Sequence, residues 1–363
     1  MPTRTKLLPA STKPLPTRTK PLPTRTKLLP SWREVAKTGT WDTLFLGNGA
    51  SVNVSHNFSY DYLFDQADLS VNAKKVFTEF HTTNFELALE LLGDAQRVCA
   101  ALGTPRSSSR LMAAEYANIR DALFDAVNRT HVRWSEVPLA TRHHIADVLL
   151  GYRKVFTTNY DLIVYWSLLS RGHFAMFTDF FARDAPTDPI IFDVTARPAA
   201  ARFRGRTQLY HLHGGLHLWR DERTGATGKW EPVDGADLAG LEDRFREHPE
   251  RQPLLVSEGA TTDKLRAIRG SDYLSFALAQ LSRDRGNMVI FGWSFGAQDD
   301  HITDAINKSF RRRIAISMRP STLKRMRRHQ ADLIARLDRH EVVFFDAASH
   351  PIGDPHLTIG TPC

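Results

Sequence analysis

From Trp41 onward, short apolar runs alternate with longer stretches of helical spacing, the pattern of a chain that builds a parallel sheet and packs helices against it. The runs read as strands at 43–46, 154–157, 190–194, 208–212, 216–219, 254–256, 288–291, 314–318 and 342–345. Between 60 and about 150 no run reads as a strand. Instead, residues 85–102, 109–130 and 141–150 carry apolar side chains three and four positions apart, which predicts amphipathic helices. Further helices are expected at 160–170, 263–285, 299–310 and 321–339. The expected fold is therefore α/β: a Rossmann-like parallel sheet over 41–346 with helices on both faces and a helical insertion after the first strand. Residues 220–240, rich in Gly and charge, read as a surface loop or lid, and 347–363 as a C-terminal tail.

The polar residues fall where this pattern gives them meaning. Four apolar strands each end in a cluster of small, polar or glycine residues: GNGAS (47–51), TTNYD (157–161), HLHGG (211–215) and GWSFGAQDD (292–300). In a parallel sheet those ends share one edge, and ligands bind along that edge. Gly47 and Gly49 would let a ligand approach the backbone closely, with the amides of the following helix facing a phosphate. The third glycine of the dinucleotide fingerprint is missing, because Val52 stands there, so a turn without a ligand fits these five residues too.

Asn159 and Asp161 would present a carboxamide and a carboxylate to a ribose or a developing positive charge, or Asn159 would cap the helix that follows. Strand alternation puts His211 and His213 on one face, and with His217 they invite a metal. Without a nearby Cys, Asp or Glu at tight spacing, His213 reads instead as an exposed base at a strand end, or else as a core or surface histidine. Gly292 and Ser294 are placed to touch a ligand, whereas Asp299 or Asp300 starts the next helix, and either reads as a helix cap or a first-turn acid.

Charge narrows the picture. Of the formal net charge of +8, seven positive charges lie in residues 1–31, which contain no acid and repeat PTRTK three times. That segment reads as an extended, disordered tail, dispensable or a basic arm for nucleic acid or a partner, and the nearly neutral remainder gives no reason to expect nucleic-acid binding. Lys324, Arg325, Arg327 and Arg328 read as a solvated helix face, or as a contact for a phosphate or an acidic partner. Two cysteines, Cys99 and Cys363, are too few for a disulfide framework or a four-thiolate zinc module and suit a reducing compartment. With no long apolar run, a cytoplasmic protein without a membrane partner is expected.

The four clusters, in this order, resemble the sirtuin superfamily: a GAGxS-type loop, a TQNxD-type strand end, an HG motif and a later Gly-x-Ser turn. Residues 253–277 and 289–302 look most like bacterial sirtuin-like proteins, among them NAD hydrolases of antiphage defence. The resemblance implies NAD as the substrate, with no metal. It implies Asn159 and His213 as the catalytic pair, Asp161 supporting the nicotinamide-ribose end, and Gly47, Asn48, Gly49, Ser51, Thr158, Gly292 and Ser294 as binding residues. It leaves room for a regulatory protein or phage-derived trigger and for a homo-oligomer. The paired Cys-x-x-Cys zinc module of the protein deacylases is absent, which favours NAD hydrolysis over deacylation or ADP-ribosyl transfer. A module that senses NAD or ADP-ribose without turnover remains the alternative.

Overall fold

The structure, a computed structural model, describes residues 29–170, 176–186, 188–195, 207–221, 223–231, 238–256 and 261–360. Most of the expected basic tail, residues 1–28, lies outside the described residues. The chain is already folded where that tail was expected to end. Leu29 packs against Met318 and Met326, and Ser31 caps a short helix at Trp32–Ala36.

Among the described residues the strands in chain order are β1 (Thr43–Leu46), β2 (Lys154–Thr157), β3 (Phe177–Thr178), β4 (Phe181–Ala182), β5 (Ile190–Phe192) and β6 (Thr207–His211). They continue as β7 (Gly214–Asp221), β8 (Thr227–Lys229), β9 (Arg251–Leu255), β10 (Met288–Phe291), β11 (Arg313–Met318) and β12 (Glu341–Asp346). Seven of them form one sheet in the order β12-β11-β10-β1-β2-β6-β3, every pair parallel. This is the expected Rossmann-like α/β arrangement.

Both faces of that sheet are covered, because successive side chains of a strand point to opposite sides. Leu44, Leu46, Val155 and Leu209 join a core with Phe85, Leu89, Ile119, Leu123 and Ile145 from the helices that follow β1. Phe45, Phe156, Tyr210 and Ile290 join a second core with Leu281, Ile302, Ile306 and Leu333 on the other side. The helices between β1 and β2 include Phe85–Leu102, Arg106–Thr130 and Leu139–Leu150. In the first of these, Phe85, Ala88, Leu89 and Leu92 make the buried stripe that the spacing predicts.

Several expectations are corrected. The runs at 190–194, 216–219 and 254–256 do not extend the parallel sheet; they belong to an antiparallel sheet ordered β4-β5-β8-β7-β9. The stretch 220–240, expected as a loop, contains β8, whose Thr227 and Lys229 are buried; residues 222 and 232–237 lie outside the described residues. The helix expected at 263–285 is two helices, Thr261–Arg269 and Asp272–Ser282. They separate at Gly270 because the Ser271 hydroxyl accepts from the Leu274 amide and starts the second one. Residues 347–357 form short turns packed on the domain, with Ile352 and Leu357 buried, instead of trailing as a tail.

Candidate active site

β10, β1, β2 and β6 are neighbours in the parallel sheet, so the four polar clusters that follow them meet at one edge, as the sequence implied. There they surround a cavity of about 640 Å³ whose wall includes Asn48, Gly49, Thr158, Asn159, Asp161, His213, Gly292 and Ser294. Gly47 and Ser51 stand behind that wall.

The glycines act differently from the expectation. A Cβ on Gly47 would lie 2.6 Å from the Trp293 Cα, and one on Gly49 2.7 Å from the Gly292 Cα. Gly292, at φ +70°, would in turn press a Cβ to 2.6 Å from the Ala50 amide. The close approach is thus between the loops after β1 and β10. It is sealed by the Gly49 amide donating to the Gly292 carbonyl at 2.8 Å, so that amide is not left for a phosphate. Asn48 is likewise held, donating to the Phe58 carbonyl at 3.0 Å.

Asn159 is buried and fixed by its own amide. Nδ2 donates to the Gly47 carbonyl at 3.1 Å and to Ser51 Oγ at 2.8 Å, and because a carbonyl can only accept, the orientation of the carboxamide is determined. Its Oδ1 is buried without a hydrogen-bond partner among the described residues. Ser51 Oγ donates to Asp161 Oδ2 at 2.5 Å, while Asp161 Oδ1 accepts from the Ile163 amide at 2.9 Å. Both Asp161 oxygens are therefore engaged, and the acid holds Asn159 through Ser51 while starting the helix Ile163–Ser170. The capping alternative considered for Asn159 belongs to Asp161.

His213 is not the exposed base that its place before two glycines suggested. It is 2% exposed, because the turn at Gly214, with φ +82°, folds it inward against the helix Asp300–Lys308. Its Nε2 lies 3.0 Å from His301 Nε2 and 3.9 Å from Asp299 Oδ1. No hydrogen bond among the described residues holds its Nδ1. Asp299 stands at the N-cap position, but its side chain does not cap; it accepts from the fully buried Lys264 ammonium at 2.9 Å and from Trp293 Nε1 at 3.3 Å. Asp300 is the acid in the first turn of that helix.

These neighbours set the protonation states. Burial pushes His213 well below the usual histidine value; Asp299 pulls it back, while Lys264 and His301 add to the depression. Burial brings His301 down to about 4. For Asp299 burial works upward, but the facing His213 and Lys264 reverse it and lower the pKa to about 2. His213, Asp299 and His301 offer ligand atoms within 4.8 Å of one another, a set that the sequence reading did not assemble.

His211 does not share a side with His213, because the strand ends at His211 and alternation ends with it. His211 joins His217, ring centroids 4.9 Å apart, and His217 stacks on Tyr165 at 4.0 Å. The metal considered for His211, His213 and His217 together is thus excluded by geometry: the three point to two separate clusters. Lys264 and His301 were missed from sequence because each reads as an ordinary helix residue; the only available signal was the tight Asp299-Asp300-His301 spacing after a strand.

No curated protein matches the chain. Among solved structures, it is similar to one described as "Structural Basis for the Mechanism and Regulation of Sir2 Enzymes", at 12% identity over 89% of this chain and 94% of that one, with a TM-score of 0.30. Residues 44–352 match the family described as "Domain of unknown function (DUF4917)", and the chain belongs to that family.

Proposed function

We propose that the cavity binds NAD and that Asn159 and His213 serve hydrolysis of its nicotinamide–ribose bond, making the protein an NAD glycohydrolase. The observation that carries this reading is the convergence of four strand-end loops from adjacent parallel strands on one cavity of about 640 Å³ with both side chains in its wall. Nucleotides bind at that edge of open α/β sheets, and the volume is in the range of ligand pockets. The order of the loops is the one that the sirtuin resemblance rests on.

The chemistry suits the residues. In NAD the ribose C1′ is bonded to a cationic pyridine nitrogen, so when that bond breaks the electron pair stays with nicotinamide, which leaves neutral and needs no general acid. C1′ becomes oxocarbenium-like, a water oxygen adds to it and sheds one proton, and the products are ADP-ribose, nicotinamide and a proton. Asn159 Oδ1, unpartnered and fixed in place, is an acceptor for that water or for a ribose hydroxyl. His213 Nδ1 takes the proton. Asn48, Gly49, Thr158, Gly292 and Ser294 would form the rest of the binding wall, with Gly47, Ser51 and Asp161 supporting it. NAD depletion in antiphage defence is the role that such an activity would serve.

Purified protein incubated with NAD, with and without an acetylated peptide, tests the reading. Nicotinamide and ADP-ribose in equal amounts without peptide are expected. Release only with peptide would mean deacylation, and NAD binding without any release would mean a sensor.

A further inference from the structure

We infer that His301 is the positioning residue of this site: its Nε2 accepts a hydrogen bond from His213 Nε2–H and so keeps the lone pair of His213 on Nδ1. The inference rests on the NAD-cleavage reading and adds a residue to it. Two imidazole nitrogens 3.0 Å apart share one proton, so one ring donates and the other accepts. If His301 donates, His213 carries its proton on Nδ1 and no base faces the substrate. Asp299 decides the matter, because its carboxylate lies 3.9 Å from His213 Nε2 and favours the proton there. A base held by a second side chain that fixes its tautomer is a recurring arrangement in catalysis. When His213 accepts the substrate's proton at Nδ1, the resulting imidazolium donates through Nε2 to His301 beside the Asp299 charge. The tautomer assignment leaves His301 Nδ1–H buried without an acceptor among the described residues, so the tautomer is the quantity to measure.

A metal is the rival occupant of the same atoms. Lys264 counts against it: the fully buried ammonium sits 2.9 Å from Asp299 Oδ1 and already balances that charge, so a divalent ion would add two uncompensated charges to a buried place.

The test compares H301L, which cannot accept, with H301Q, whose side-chain oxygen reaches a similar position and can. H301L should lower kcat for nicotinamide release by about 10- to 100-fold with little change in KM. It should also shift the acid limb of the pH profile away from its wild-type position, because the ring that His213 Nε2–H faces, and that helps set its protonation, is gone while Asp299 and Lys264 stay in place. H301Q should recover most of the rate and the wild-type limb. Equal losses in both variants with an unmoved limb would reduce His301 to packing and overturn the inference. A stoichiometric divalent metal in wild-type protein, lost in both variants and needed for activity, would overturn it in favour of a metal site.

If wild-type protein releases no nicotinamide, it is the NAD-cleavage reading that fails. The His301 inference is then judged by imidazole ¹⁵N chemical shifts. They should show His213 protonated at Nε2 in wild type and H301Q and mixed in H301L. A proton on His213 Nδ1 in wild type would overturn it.

Discussion

Two buried histidine pairs, each beside a lysine–aspartate ion pair, each draw one histidine from the end of β6 or just after it, and they are built alike but used differently. On one side are His213, His301, Lys264 and Asp299; on the other His211, His217, Lys229 and Asp179, with Lys229 Nζ 2.5 Å from Asp179 Oδ2. In both, burial depresses the histidines, so the rings are neutral at pH 7. In the first, two ring nitrogens point at each other and His213 forms part of the cavity wall. In the second the rings meet edge to face and one stacks on Tyr165. His217 Nδ1 has no hydrogen-bond partner among the described residues, and His211 approaches the Asn159 backbone without a well-formed bond. The four side chains of the second cluster stand apart from the cavity wall. Histidine burial alone therefore does not mark a base; a nitrogen with a partner behind it and a cavity before it does.

The largest effect expected from this contrast is on turnover. Under the proposed function His213→Ala should cut nicotinamide release by about 100- to 10,000-fold, the range for losing a positioned base, and Asn159→Ala should do similar damage. His217→Phe keeps a ring against Tyr165 and should stay within a few-fold of wild type. His213→Ala should also cost about 1–3 kcal/mol of stability, since His301 loses its partner in a buried place. Steady-state rates and denaturant midpoints on the same samples decide the matter. A His217→Phe enzyme as slow as His213→Ala would erase the distinction between the two pairs.

The sequence made some of this legible and hid the rest, for physical reasons. β1, β2 and β10 were readable with their bounds because central strands of a parallel sheet are buried on both faces and appear as unbroken apolar runs. The four loops at one edge followed from that. Of the second sheet, β5, β7 and β9 were legible as strands but not as a separate antiparallel sheet, and β4 and β8 were not legible: β4 has two residues, and β8 is Thr-Gly-Lys, where Lys229 finds Asp179 across 50 residues of chain. Gly47 and Gly49 signalled a close approach correctly, but not that the approaching group is Gly292–Trp293. The pairing of His213 with His301, 88 residues apart, and of Lys264 with Asp299, 35 apart, is a tertiary event that no local pattern announces.

The next effect is on stability, and here the two clusters should behave alike. Lys264→Met and Lys229→Met each leave a buried carboxylate without its cation, a loss of about 3–5 kcal/mol by urea denaturation. They should differ in rate per folded molecule. Lys264→Met perturbs the charge beside His213 and should slow nicotinamide release, whereas Lys229→Met, assayed below its melting point, should retain it. A folded but inactive Lys229→Met protein would show that the sealed cluster communicates with the cavity.

The smallest effect, and the one that resolves the two pairs from each other, is the dependence of stability on acid. His211 and His301 both have folded pKa values of about 4 against 6.5 in the unfolded chain. Between those limits the unfolded state binds protons that the folded state refuses, so stability is full above pH 6.5 and falls as pH drops toward 4. At pH 5 each such ring costs about 2 kcal/mol, by the same linkage. Asp299, lowered to about 2 from 3.8, loses its contribution only below that window, so the two slopes separate on the pH axis. Melting temperatures followed from pH 7 to pH 4.5 should therefore fall steadily in wild type. His211→Leu and His301→Leu should each flatten that fall by removing one ring's share, whatever they do to stability at pH 7. If His211→Leu flattens it and His301→Leu does not, the His213–His301 pair already holds an extra proton at neutral pH. The cavity-side pair would then be a charged one, unlike its sealed counterpart.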